Sequence, residues 1–144
     1  MHHAALTGIP IHLDYNATTP VDPRVVAAMQ PFLEAGFGNP SSAHRYAHAP
    51  SQALRTAREQ VAALVRVDPA GIVFTGSGSE ANNLAIRGAV LANPAVGRPH
   101  VITQATEHPA VLATCHALQR LHGTVVTMLP VDGDGLVDPQ DLAD

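Results

Sequence analysis

The residues best placed for chemistry in this 144-residue chain lie between positions 72 and 115. From Ile72 to Ala81 a β-branched apolar run gives way to four small residues, Gly76-Ser77-Gly78-Ser79, and then to a helical pattern. Small residues let the backbone approach a ligand closely. The free N–H groups and the positive end of a helix starting there favour a phosphate, and Ser77 and Ser79 add hydroxyls. An ordinary strand-to-helix turn, capped by Ser79 with Glu80 in the first turn, accounts for the same residues. Gly76-x-Gly78-x-x-Ala81 also meets the dinucleotide fingerprint formally, with Glu107 as the ribose-binding acid. Glu107, however, lies well beyond that motif's usual spacing of about 20 residues. Spacing alone leaves these three readings open.

Other chemistry-bearing residues carry less. His44 and His48 have helical i, i+4 spacing, but no Glu follows the zincin pattern and no further ligands gather around them. Cys115 falls in helical register with Val111 and Leu118, where a cysteine behaves as a small hydrophobe. Asp132, Asp134 and Asp138 suggest a calcium loop. That pattern fails, because Val137 takes the place of the required glycine and Ala143 that of the bidentate glutamate; a turn followed by a helix cap is the better reading. All eight basic residues are Arg. A chain without Lys forms no Schiff base through a side-chain amine, and one with a single Cys has no internal disulfide.

Several elements must position these groups. Ile9 to Tyr15 reads as a short extended arm. Asp22-Pro23 starts a helix through Val25, Val26, Met29 and Phe32, with Pro31 disturbing its end. Residues 36–42 form a loop rich in Gly, Pro, Asn and Ser. A longer helix spans about Ser51 to Val65, with Leu54, Ala57, Val61 and Leu64 on its inner stripe. After a turn at 67–71 the rhythm becomes alternating. Strands are expected at 72–75, 101–103 and 125–129. Helices are expected at 80–92, with Ala81, Leu84, Ala85, Gly88 and Leu91 on one face, and at 109–122, ended by Gly123. This alternation predicts βαβ units and a parallel sheet. Asp138-Pro139 opens one more helix. It carries no stop signal before residue 144, which reads as a truncation.

Apolar residues are 46% of the chain and charged ones 14%. Much of the apolar content is Ala and Val, so each buried position removes little area from water. The net charge of −4, without a basic run, argues against nucleic-acid and membrane-surface partners. No stretch reaches the length of a transmembrane helix. The first 15 residues lack the basic and apolar regions of a signal peptide, so a cytoplasmic setting is expected.

Four segments in register carry a family resemblance: LDYNATTP (13–20), FGNPSSAH (37–44), VDPAGIVFTGSGSEANNLAIRG (67–88) and TEHPAVLATC (106–115), followed by VDGDGLVD near the end. Together they resemble the cysteine desulfurases, pyridoxal 5'-phosphate enzymes of the class V aminotransferase fold. The resemblance implies an N-terminal portion of a fold-type I enzyme. Residues 1–66 would form the arm and helices, and 67–144 the first part of the α/β cofactor-binding large domain. It also implies that Gly78 and Ser79 bind the cofactor phosphate, and that His108 stacks on the pyridine ring and helps move protons as a catalytic group. An imidazole suits that role, being flat and titrating near neutrality. Asn16, Ala17 and Thr18 would lie near the active site.

The family reaction takes sulfur from L-cysteine, leaving alanine and an enzyme persulfide that supplies iron–sulfur assembly. The cofactor acts as electron sink. The resemblance further implies sulfur-accepting scaffold partners and a homodimer. The family's Schiff-base Lys, pyridinium-pairing Asp and sulfur-accepting Cys match nothing here, so the chain alone is expected to be inactive. Selenocysteine lyases and other class V relatives share these landmarks. A non-catalytic remnant and a nicotinamide oxidoreductase are the alternatives from other classes. Two departures stand out: Gly76-Ser77 replaces the usual Ser-Gly, which puts the loop's backbone angles in question, and Ala47 stands where Gly is common.

Overall fold

A computed structural model describes residues 7–8, 10–92 and 97–143. Ile9, the first residue of the expected arm, and the first six residues lie outside them. The chain divides into two compact units, Met1–Val73 and Phe74–Asp144.

In the first unit, α1 spans Pro23–Glu34. Asp22 caps it as expected, its carboxylate accepting the Arg24 N–H at 2.8 Å, with Pro23 in the first helical position. Pro31 does not end this helix: three further residues remain helical, and the Pro31 carbonyl then accepts the N–H groups of Ala35 and Gly36. A short 3-10 turn, Arg45–Ala47, leads into α2, His48–Val65, which therefore starts three residues before the expected Ser51.

The expected inner stripe of α2 is only partly buried. Leu54 and Ala57 are half-buried, Val61 and Leu64 are exposed, and Ala62 is the residue buried on this helix. Periodicity names the side of a helix able to bury, whereas burial needs a neighbour on that side. An open apolar groove of about 1050 Å³ runs along α1 and α2, lined by Val25, Met29, Phe32, Ala53, Leu54 and Ala57 among others. Arg66 ends α2 in the left-handed conformation (φ 59°, ψ 47°). The turn at 67–71 is a 3-10 turn over Pro69–Gly71, capped by Asp68 through the Ala70 N–H at 2.7 Å.

In the loop before α2, Phe37 stacks on Tyr46 with ring centroids 5.4 Å apart. Gly38 sits between them in sequence at φ 136°, and a Cβ there would run into the Tyr46 carbonyl. This position requires glycine on both counts.

The second unit has the order α3 (Gly78–Leu91), β1 (His100–Gln104), α4 (Pro109–His122), β2 (Val125–Leu129) and α5 (Pro139–Ala143). β1 and β2 pair in parallel, His100 opposite Val125 through Gln104 opposite Leu129. With α4 as crossover this is the expected βαβ unit. α3 packs on α4. The core gathers Thr114, Cys115 and Leu118 of α4 with Thr124 and Leu129. Gly123 stops α4 at φ 67°, its N–H reaching the carbonyls of Leu118 and Gln119, as expected of a left-handed cap.

Two expectations are corrected here. Residues 72–75 form no strand: Ile72 has extended angles (φ −89°, ψ 122°), but no ladder partner exists among the described residues. Local β propensity supplies an extended backbone; a strand also needs a neighbour to bond. On α3, the face expected to be inner is largely open. Leu84, Ala85, Gly88 and Leu91 are exposed, while Ile86 and Val90 on the opposite side are half-buried. No described helix is long and apolar enough to cross a membrane.

Candidate functional site

The loop at 76–79 is shaped by a set of local hydrogen bonds. Ser77, at φ −164° and ψ 162°, is the N-cap of α3, and its hydroxyl oxygen accepts the Glu80 N–H at 3.2 Å. The Glu80 carboxylate turns back to accept the Gly76 N–H at 2.7 Å. The pair forms a variant of the capping box, with the acid reaching one residue further upstream than usual. Thr75 donates its hydroxyl to the Ser77 carbonyl at 3.0 Å, and Asn83 donates to the Ser79 carbonyl at 3.0 Å. These bonds hold both sides of the bend.

The cap is therefore Ser77, and Ser79 lies inside the first turn instead of preceding it. This corrects the reading of Ser79 as cap. The signal was present in the sequence, since Ser77-x-x-Glu80 has the capping-box spacing. The correction also frees Ser79. Its hydroxyl and N–H, together with the Gly78 N–H, have no acceptor or donor partner among the described residues. Two first-turn N–H groups, a hydroxyl and the positive end of a 14-residue helix make a donor set suited to an anion such as a phosphate.

The exchanged Gly76-Ser77 order does not strain the bend. Neither Gly76 nor Gly78 has a positive φ, so no residue from 76 to 79 needs glycine for its backbone angle. A Cβ on Gly78 would meet nothing within 4 Å.

His108 stands at the head of α4, the helix against which α3 packs. It is the N-cap of that helix, its Nδ1 accepting the Ala110 N–H at 3.1 Å, with Pro109 in the first helical position. The ring is exposed, and no hydrogen bond joins it to the 76–79 loop. Asn16, Ala17 and Thr18 belong to the first unit. There Ala17 turns back onto the Asp14 carbonyl and the Thr18 carbonyl bonds the His12 ring at 3.1 Å.

Cys115 is 1% exposed and free. Burial, and secondly the negative charge of Glu107, push its thiol above the ordinary value. A nucleophilic thiol needs the opposite environment, exposed and electropositive. No group of three or more His, Cys, Asp and Glu able to hold a metal occurs among the described residues. Asp132 instead closes a turn, accepting the N–H groups of Asp134 and Leu136 at 2.9 Å each, and Asp138 caps α5 through the Gln140 N–H.

Comparison with known proteins places this geometry in a family. The aminotransferase class-V model matches residues 11–144. A cysteine desulfurase of Trichormus azollae is 51% identical over 132 residues, covering 92% of this chain and 32% of that protein. The cysteine desulfurase IscS of Psychromonas ingrahamii is 50% identical over 137 residues, covering 93% and 34%. The chain thus spans about a third of the length of these curated relatives. Among solved structures, a NifS-like protein superposes with a TM-score of 0.80 at 36% identity, covering 90% of this chain and 35% of that one. DndA from Streptomyces lividans gives 0.66 at 37% identity, covering 83% and 33%. With the family model matched over nearly the whole sequence and the βαβ unit seen in the structure, the chain belongs to the aminotransferase class-V family.

Proposed function

We propose that this chain is the cofactor-phosphate-holding part of a pyridoxal-phosphate cysteine desulfurase. The observation that carries the reading is the open first turn of α3, with the N–H groups of Gly78 and Ser79 and the Ser79 hydroxyl all unpaired among the described residues. Its support is a sequence about half identical to cysteine desulfurases.

These residues fit the phosphate end of the cofactor. Gly78 and Ser79 would hold it, the backbone donors fixing its position and the helix end favouring its charge. The flat imidazole of His108 would lie against the pyridine ring, limit its tilt and take part in proton movement. The cofactor, when bound, supplies an electron sink for the substrate carbon. The chain contains no Lys, so the amine that anchors the cofactor covalently must come from outside these 144 residues. The same holds for the sulfur acceptor, because Cys115 is buried with a raised thiol.

The substrate we assign is L-cysteine, and the products are alanine and a persulfide on the complete enzyme, which would pass sulfur to scaffold proteins for iron–sulfur assembly. A homodimer in the cytoplasm is the setting we assign to the complete enzyme. Residues 1–66 form its arm and first helices, and 67–144 open its large domain. Family membership takes the place of the nicotinamide reading.

The test is a comparison of the full-length gene product with the 144-residue chain, each given pyridoxal phosphate and L-cysteine. The full-length product should release alanine and persulfide sulfur, and the 144-residue chain should release neither at an enzymatic rate. A full-length product that binds no pyridoxal phosphate, or a 144-residue chain that turns over, would overturn the proposal.

A further inference from the structure

The side chain of His108 has two nitrogens, and the structure commits one of them. Nδ1 accepts a hydrogen bond from the Ala110 backbone N–H at 3.1 Å. A backbone N–H only donates, so Nδ1 must present its lone pair and carry no hydrogen. In the neutral ring the one hydrogen then sits on Nε2, the nitrogen on the far side of the ring from the cap. The cap is backed by the rest of the turn: the His108 carbonyl accepts from Val111 at 2.8 Å, and Pro109, with its fixed φ and no N–H, occupies the first helical position. Release of Nδ1 would orphan a donor at the head of α4.

We infer that His108 has a fixed tautomer, with Nδ1 spent on capping α4 and Nε2–H the only ring N–H able to meet a ligand. The side chain is therefore a positioning residue for its own helix as well as a ligand-facing group. To any molecule lying against it the neutral ring offers a flat face and a hydrogen-bond donor, and no free lone pair. A ligand acceptor, such as a phenolate or carboxylate oxygen, matches that nitrogen; a ligand donor does not. To accept a proton on the ring, His108 has to give up the Ala110 N–H. That the ligand in question is the cofactor rests on the function proposed above; the tautomer does not.

The experiment uses the full-length gene product labelled with 15N in its histidine rings. Long-range 1H–15N correlations are recorded where the ring is neutral, and the His108 signals are those absent from H108N. The expected pattern is a protonated Nε2 and an unprotonated Nδ1, and a protonated Nδ1 overturns the inference. A second readout separates capping from mere bulk. An asparagine side-chain oxygen stands the same number of bonds from the backbone as the histidine Nδ1, so H108N should keep the wild-type melting temperature. H108A should fall by about 1 °C, the size expected for a lost cap in a protein about three times the length of this chain. Equal losses in H108N and H108A would also overturn it. Titration of the wild type with pyridoxal phosphate is followed separately, so a protein with the expected tautomer but no cofactor affinity would refute the proposed function and leave this inference standing.

Discussion

Ser77 and Ser79 stand two residues apart in one bend, and their substitution by alanine should have opposite consequences. The Ser77 hydroxyl accepts the Glu80 N–H at 3.2 Å and caps α3. Its loss leaves that donor unpaired and should cost about 1 kcal/mol. For the full-length gene product, about three times this length if it matches its relatives, that lowers the melting temperature by about 1 °C. The Ser79 side chain is exposed, with no partner among the described residues, so S79A should leave stability within about 0.5 kcal/mol. If Ser79 holds a phosphate, its hydroxyl makes a hydrogen bond to a charged group, a contact of about 1.5–3 kcal/mol. Its removal should weaken pyridoxal phosphate binding by roughly 10- to 150-fold. The assay is thermal denaturation of both variants of the full-length gene product, with titration by pyridoxal phosphate and by pyridoxal. Pyridoxal lacks the phosphate, so S79A should bind it as the wild type does. An S79A protein that keeps full affinity for pyridoxal phosphate, or that loses pyridoxal equally, would refute the assignment of Ser79.

Two further outcomes follow from the geometry. G38A places a side chain at φ 136° against the Tyr46 carbonyl. Strain of this kind costs on the order of 1–3 kcal/mol before any clash, so chemical denaturation should show a clear loss of stability, and an unchanged midpoint would contradict the loop's packing. Cys115 has its thiol raised above the ordinary 9.0, by burial first and by Glu107 second. The folded state therefore holds this proton more tightly than the unfolded one. The resulting stability is complete below the ordinary thiol value and is lost as the pH rises through the raised one. Alkylation near pH 8 should be much slower in the native protein than in urea, and equal rates would show that the thiol is not buried.

Local structure is largely legible in the sequence because its causes are local. Asp22-Pro23, Pro109 and Gly123 act through their own backbone angles and hydrogen bonds within one turn, and α1, α4 and α5 begin or end where residues of this kind require. The candidate phosphate loop is legible for the same reason, as small residues ahead of a helix. The position of its cap is less so, because Ser77 and Ser79 both satisfy the composition rule and only the Ser77–Glu80 spacing separates them. The capping role of His108 is not legible, since histidine is absent from the usual cap residues and its ring geometry has to be seen.

What the sequence determined by itself is the order of the five α-helices and of β1 and β2, the family, and the absence of any Lys. These depend on residue type and spacing along the chain. Tertiary structure alone decided which faces are buried and which extended segment becomes a strand. The predicted stripe of α3 lies largely open and residues 72–75 form no strand, whereas β1 and β2 zip together in register. Burial and strand pairing are two-body events. A periodic apolar face or a β-branched run states half of each, and the other half is a neighbour that only the folded molecule supplies.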